Sequence, residues 1–353
     1  MRKIISFILS VMVLVACCFL NANVCFAKDF SGSSAEIVIE LNSGRILHEK
    51  NAYEKKYMAS TTKILTAITV IENCSMDDVV TVTKETVGVE GSSIYLEVGE
   101  RLSVKDLLYG LMLRSGNDCA ETLAVYCSGS IDKFAELMNT TAKNIGAKCS
   151  NFINPHGLHN ENHYTTAYDL ALISRYAMKN EIFREIAGKK SVIIPHITQK
   201  YDRKLINKNK MLTEFEGANG IKTGYTKKAG RCLVSSCVRD GMELICVVLN
   251  CPPMFERSKE LLTENFNNYH NIKVVESDNI IGFIKEENSE NSYAIHVKND
   301  IILPLSNEEK ENLRIEYNYK ETVKNPLKSD EHVGYIEIYT QNNLIFKEKI
   351  YTI

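Results

Sequence analysis

Three short strings restrict this chain more than any other feature: Ser60-Thr61-Thr62-Lys63, Ser115-Gly116-Asn117 and Lys222-Thr223-Gly224. Each asks for a different local structure. Apolar residues at helical spacing (Ile64, Leu65, Ile68, Ile71) follow the first, so Ser60 begins a helix and Lys63 lies one turn on, on the same face. The second string interrupts a helical pattern. That pattern opens on the capping sequence Ser103-Val104-Lys105-Asp106 and resumes through Ala120 and Leu123, so the string is a turn between helices. The third lies on a strand, where Gly224 would let a ligand backbone approach closely. A fold that uses all three must bring a helix start, an inter-helix turn and a strand to one place.

The residue types also belong together chemically. Acyl transfer through a serine ester needs a nucleophile, an amine base, a proton relay and a carboxylate anchor. A serine hydroxyl is a weak nucleophile until a neighbour takes its proton. Lys63 can take it only as a free amine, a form favoured by burial and by a second cation such as Lys222. A helix N-terminus at Ser60 places a positive end where an oxyanion forms. Taken singly, each string also fits a bland structure: a capped helix, a turn and an edge strand.

The surrounding pattern describes an antiparallel sheet flanked by helices. Ala35–Glu40 and Arg45–Glu49 form a hairpin about Asn42-Ser43-Gly44, and Val79–Val82 is a short strand. Ile131–Ile145 and Thr166–Met178 are helical. Gly220–Tyr225, Cys232–Val238 and Met242–Leu249 are strands, the last two joined by an Asp240-Gly241 turn, and Phe255–Tyr269 is a closing helix. From Asn271 the pattern changes to strands and polar turns: Ile280–Ile284, Tyr293–Val297, Leu313–Tyr319, Val333–Tyr339 and Leu344–Ile350. This predicts a separate all-β module over 271–353 after a larger domain over 28–270.

The first 27 residues read as a secretory signal. Met1-Arg2-Lys3 is followed by an apolar run to about Leu20, with a cleavage site after Cys25-Phe26-Ala27. An uncleaved membrane anchor and a lipoprotein signal (Leu14-Val15-Ala16-Cys17) are the alternatives. Export makes the protein extracytoplasmic and permits disulfides. Of the eight cysteines after the signal, Cys119 and Cys127 nevertheless fall in a helical pattern and Cys232, Cys237 and Cys246 in strand-like runs, which favours buried free thiols. The net charge of −2 gives no reason to expect nucleic acid. His156, His159 and His163 lack the regular spacing of metal ligands and read as a solvated loop. No metal or cofactor is called for.

The three strings together resemble those of a known family, the low-molecular-weight penicillin-binding proteins that act as serine-type D-alanyl-D-alanine carboxypeptidases (peptidase S11). The resemblance covers about residues 33 to 270. It extends to Met58-Ala59 before the nucleophile, Leu113-Arg114 and Asp118 around the second string, and Asn154-Pro155-His156-Gly157-Leu158. It also includes Gly220-Ile221 before the third string and Tyr225-Thr226 after it. It implies a serine β-lactamase/transpeptidase-like α/β (α+β) fold and, from about Asn271, the family's β-rich C-terminal domain.

The implied roles are as follows. Ser60 attacks the penultimate D-alanine carbonyl, Lys63 is the base, and Ser115 and Asn117 complete the relay and hold the peptide. Lys222, Thr223 and Gly224 line the carboxylate end, and the backbone N–H groups of Ser60 and Tyr225 form the oxyanion hole. The implied partners are a peptidoglycan stem peptide ending in D-Ala-D-Ala and β-lactam inhibitors. Two departures stand out. Lys208 stands where the family stretch can carry arginine, and lysine cannot grip a carboxylate bidentately; Lys208 is a further candidate for substrate binding. The chain ends in a strand-like alternation, Leu344–Ile353, in place of an amphipathic helix, which leaves membrane association open. The rival readings are a β-lactamase-like hydrolase and a catalytically silent wall-binding protein. The first lacks a convincing loop glutamate before the third string, and the second does not need an intact Ser60, Lys63, Ser115 and Lys222.

Overall fold

The apolar run Met242–Leu249 is buried along its whole length, and its residues alternate between two cores. Ile245, Val247 and Leu249 enter one; Leu244, Cys246 and Val248 enter the other. A strand covered on both faces needs a layer of structure on each side. The computed structural model, which describes residues 34–196, 202–277 and 279–353, has that layering. The expected signal segment lies outside the described residues.

In chain order the first domain opens with the hairpin β1 (Ala35–Glu40) and β2 (Ile46–Lys50), followed by α1 (Lys63–Asn73). The short pair β3 (Val79–Thr81) and β4 (Arg101–Ser103) precedes α2 (Val104–Leu113), α3 (Asn117–Ser128), α4 (Ile131–Ile145), α5 (Ala167–Met178) and α6 (Glu181–Gly188). A small hairpin, β5 (Ser191–Ile194) and β6 (Arg203–Ile206), leads through α7 (Met211–Glu214). Then come β7 (Ala218–Thr226), β8 (Gly230–Arg239), β9 (Met242–Leu249) and α8 (Met254–Asn268). The main sheet is antiparallel in the order β2-β1-β9-β8-β7. Helices α1 to α6 supply most of the larger core on one face, and α8 covers the other. Strand β7 is therefore an edge, with one side free for a ligand.

Local chemistry accounts for several boundaries. Ser103 accepts from the Asp106 N–H and caps α2, as its sequence indicates. Helix α4 ends at Gly146 with φ of 99°. Asp240 and Gly241, at φ of 47° and 74°, make the tight β8–β9 turn.

The second domain contains β10 (His270–Val275), β11 (Gly282–Glu286), β12 (Ser292–His296), β13 (Ile301–Leu305), α9 (Asn307–Glu311), β14 (Leu313–Tyr319), β15 (Thr322–Val323), β16 (His332–Thr340) and β17 (Asn343–Thr352). Six of its strands form one sheet, β14-β16-β17-β12-β11-β15, and β10 pairs with β13. Ile284, Ile295, Leu303, Ile336, Ile338 and Ile350 fill its core. The C-terminal alternation forms a strand, as its period of two requires. Arg45 of the first domain reaches across to the Pro304 carbonyl and the Glu309 carboxylate, and Asn271 donates to the Gly241 carbonyl at 3.1 Å.

Three expectations need correction. Ser60 does not sit in the α-helix proper: Ala59–Thr62 is a 3₁₀ turn, and α1 begins at Lys63. The histidine loop is packed rather than solvated. His156 and His163 are buried, and only His159 is exposed, edge-on to Tyr57. Seven of the eight cysteines are free thiols, but Cys149 is disulfide-bonded. No helix of the described residues is long and apolar enough to cross a membrane.

Candidate active site

The turn that carries Ser60 is locked by its own threonines. Thr61 Oγ1 donates to the Met58 carbonyl at 2.7 Å, and Thr62 Oγ1 donates to the Ala59 carbonyl at 2.8 Å. His163 Nε2 meets Thr62 Oγ1 at 2.8 Å, while its Nδ1 accepts from the Ile153 N–H. Burial holds the His163 pKa down to about 3, so the ring is neutral and serves as a structural bridge. This arrangement lifts Ser60 into a half-buried position with its hydroxyl at the cleft.

Lys63 is fully buried beneath Ser60. Its Nζ donates to Asn117 Oδ1 at 2.7 Å and to the His156 carbonyl at 2.6 Å, and lies 3.2 Å from Ser60 Oγ. Burial, then the Lys222 ammonium, holds its pKa well below the ordinary lysine range. A neutral amine has two N–H bonds and one lone pair. Asn117 and His156 take the N–H bonds, which leaves the lone pair for Ser60.

Ser115 occupies the turn between α2 and α3 in a left-handed conformation, φ 63°. For a residue with a side chain that costs about 1–3 kcal/mol. The turn is held by Gly116 N–H on the Gly110 carbonyl at 3.1 Å and Asn117 N–H on the Ser92 carbonyl at 2.7 Å. The Ser115 hydroxyl is buried and makes no hydrogen bond among the described residues. A buried hydroxyl without a partner is costly, and this one lines the cleft opposite Ser60, where a ligand atom would satisfy it.

Strand β7 closes the cleft. A Cβ on Gly224 would lie 3.0 Å from the Met58 carbonyl oxygen and from the backbone nitrogens of Ser60 and Thr61. Glycine at 224 is what allows the strand and the turn that carries Ser60 to touch. Lys222 is buried, donates to the Thr223 carbonyl at 3.0 Å, and titrates down at about 7 through burial and then the Lys208 charge. Lys208 stands at the exposed rim, its Nζ 3.0 Å from Ser92 Oγ. The cleft, about 340 Å³, is lined by residues of all three strings: Ser60, Ser115, Thr223 and Gly224, with Tyr225 beside them.

Some contributors were not visible in the sequence. Asp118 accepts from Ser93 Oγ and from the Ile94 and Leu96 N–H groups, and so pins the loop that carries Ser92. His156 contributes a carbonyl to Lys63 while its ring pairs with Glu121 at 3.2 Å. Gly157, at φ 89°, passes so close to the Ala59 carbonyl that a Cβ would lie 1.9 Å from its oxygen. Adjacency to the motifs was the available signal for Asp118. The Asn154-to-Leu158 stretch was the signal for His156.

The family model for D-alanyl-D-alanine carboxypeptidase matches residues 25–252, and that for the penicillin-binding protein 5 C-terminal domain matches 269–353. The chain is similar to D-alanyl-D-alanine carboxypeptidase DacF of Bacillus subtilis, 29% identical over 314 residues, 86% of this chain and 80% of that one. It is similar to DacC of Escherichia coli K12, 34% identical over 261 residues, 69% of this chain and 64% of that one. Among solved structures, penicillin-binding protein 5 from Haemophilus influenzae superposes with a TM-score of 0.80 at 27% identity, covering 90% of this chain and 96% of that one.

Proposed function

This chain belongs to the D-alanyl-D-alanine carboxypeptidase family and is a serine-type carboxypeptidase; we propose that it trims the terminal D-alanine from peptidoglycan stem peptides in the cell envelope, with the residues of the three strings in the following roles. Lys63, as a neutral amine, takes the Ser60 proton, and Oγ attacks the carbonyl carbon of the penultimate D-alanine. The developing oxyanion is met by the backbone N–H groups of Ser60, on its 3₁₀ turn, and Tyr225, on β7, two segments that Gly224 lets come into contact. As the C–N bond breaks, Ser115 Oγ relays the proton to the departing D-alanine amine. Water then attacks the ester, with Lys63 again the base, and releases the shortened peptide. Asn117 orients Lys63 and the peptide. Thr223 faces the terminal carboxylate, with Lys222 and Lys208 supplying positive charge around it.

One observation carries this reading: Lys63 Nζ sits 3.2 Å from Ser60 Oγ with both of its hydrogens committed elsewhere. The cleft lining also supports trimming over penicillin hydrolysis. Among the described residues its lining includes Ser60, Ser115, Lys208, Thr223 and Arg231 and no carboxylate to activate water against a penicilloyl-serine ester. The nearby Glu121 is engaged by His156. The test is release of free D-alanine from a synthetic stem pentapeptide by the mature protein. Stoichiometric release that disappears in Ser60→Ala supports the reading; an intact pentapeptide contradicts it.

A further inference from the structure

The terminal carboxylate of the substrate needs a cation, and the two expected candidates serve it poorly. Lys222 lies on the face of β7 turned to the helices, with its neighbour Gly224 against the nucleophile turn. Its ammonium is buried and already donates to the Thr223 carbonyl. Lys208 stands at the rim with its ammonium on Ser92 Oγ. A lysine offers a point charge where a carboxylate prefers a planar pair of donors.

The other face of the same strand presents a different group. Thr223 pairs with Leu233 and Tyr225 pairs with Arg231 across β7 and β8. Leu233 packs into the core beneath α8, so period-two alternation puts Thr223, Tyr225 and Arg231 on that side. Arg231 is thus the diagonal cross-strand neighbour of Thr223, a separation that long side chains span. Its guanidinium lies 5.6 Å from the centre of the Tyr225 ring, which holds it at the cleft. Met254 and Phe255, at the start of α8, form an apolar wall beside it in the same cleft.

Arg231 is the one guanidinium among the cleft-lining residues. Arg45, Arg184, Arg203 and Arg257 are each bound to a glutamate, whereas Arg231 has no carboxylate partner among the described residues. It is exposed and ready to receive an anion.

We propose that Arg231 is the specificity residue for the substrate's terminal carboxylate, gripping it bidentately beside the Thr223 hydroxyl. This rests on the carboxypeptidase reading above. The Tyr225 ring orients the guanidinium, and the same arrangement rejects peptides whose C-terminus is neutral. Lys222 and Lys208 then provide a positive field, and recognition lies with Arg231.

The experiment compares two peptides, Nα,Nε-diacetyl-L-Lys-D-Ala-D-Ala and its C-terminal amide, on the wild type, Arg231→Lys and Arg231→Gln. A charge-assisted pair is worth about 10- to 100-fold in kcat/KM. Arg231→Gln is expected to lose that much on the free acid and at least tenfold less on the amide. Arg231→Lys should fall between the two. Thermal melting establishes that each variant is folded. Equal losses on both peptides, or no loss on either, overturn the assignment. Absence of D-alanine release by the wild type overturns the carboxypeptidase reading itself, so the two failures are distinct.

Discussion

Lys63 Nζ approaches Ser60 Oγ to 3.2 Å from below, along the only direction its own hydrogen bonds leave open. That relationship makes a chemical demand that charge alone does not meet. Lys63→Arg keeps a cation that cannot deprotonate in a protein, and Lys63→Gln keeps polarity without basicity. Both should slow acylation of Ser60 by about 10²- to 10⁴-fold, the usual worth of a general base, read by stopped-flow with a fluorescent penicillin. Rapid acylation of the arginine variant would remove Lys63 from the base role.

In the proposed mechanism the two buried lysines set the pH dependence of kcat/KM. Lys63 must be neutral, so activity falls on the acid side as it gains a proton. Lys222 must carry its charge, and with a pKa lowered to about 7 it loses the proton as pH rises through that value. The profile should therefore turn down near 7 on its alkaline side. The Lys208 charge is the second cause of the Lys222 shift, after burial, so Lys208→Gln should displace this limb to higher pH. A limb that does not move would separate Lys208 from Lys222.

Much of this site could be read before the structure, and the reason is local. Helix start, inter-helix turn and strand are written in capping residues, periodicity and glycine; the second and third strings lie on the turn and strand those signals indicate, and the first lies on a 3₁₀ turn that leads into α1 at Lys63. What could not be read depends on tertiary burial. His156 and His163 look like loop histidines until Gly157 lets their loop press against the Ala59 carbonyl. Arg231 looks like a polar residue at a strand start until the β7 register places it beside Tyr225. In the second domain the sequence pattern does not reveal β13, because Pro304 interrupts its apolar run. The proline is tolerated in a two-stranded pair, opposite Asn271.

Gly157→Ala tests the packed loop. The added methyl would fall within 1.9 Å of the Ala59 carbonyl oxygen at a φ of 89°. The nucleophile turn must then shift, and a displacement of about 1 Å costs on the order of 10²-fold in rate. The penicillin acylation rate should fall by that factor with a lowered melting temperature. An unchanged rate would mean the loop does not position Ser60.

Arg45→Ala tests the contact between domains. Arg45 is shielded between Glu309, the Pro304 carbonyl and the Tyr269 ring. Its removal leaves Glu309 without its cation and should lower stability by about 1–3 kcal/mol. Limited proteolysis should cut more readily near residues 269–271, while penicillin acylation stays at the wild-type rate. Equal protease resistance would show that Arg45 does not hold the domains.

Intact-protein mass spectrometry after mixing with benzylpenicillin asks whether Ser60 is the acylated residue of a carboxypeptidase site. The expected result is one penicilloyl adduct per chain, mapped to the peptide bearing Ser60, persisting because the cleft lacks a carboxylate, and absent from Ser60→Ala. An adduct that survives in Ser60→Ala, or penicillin that is turned over with no lasting adduct, would contradict it.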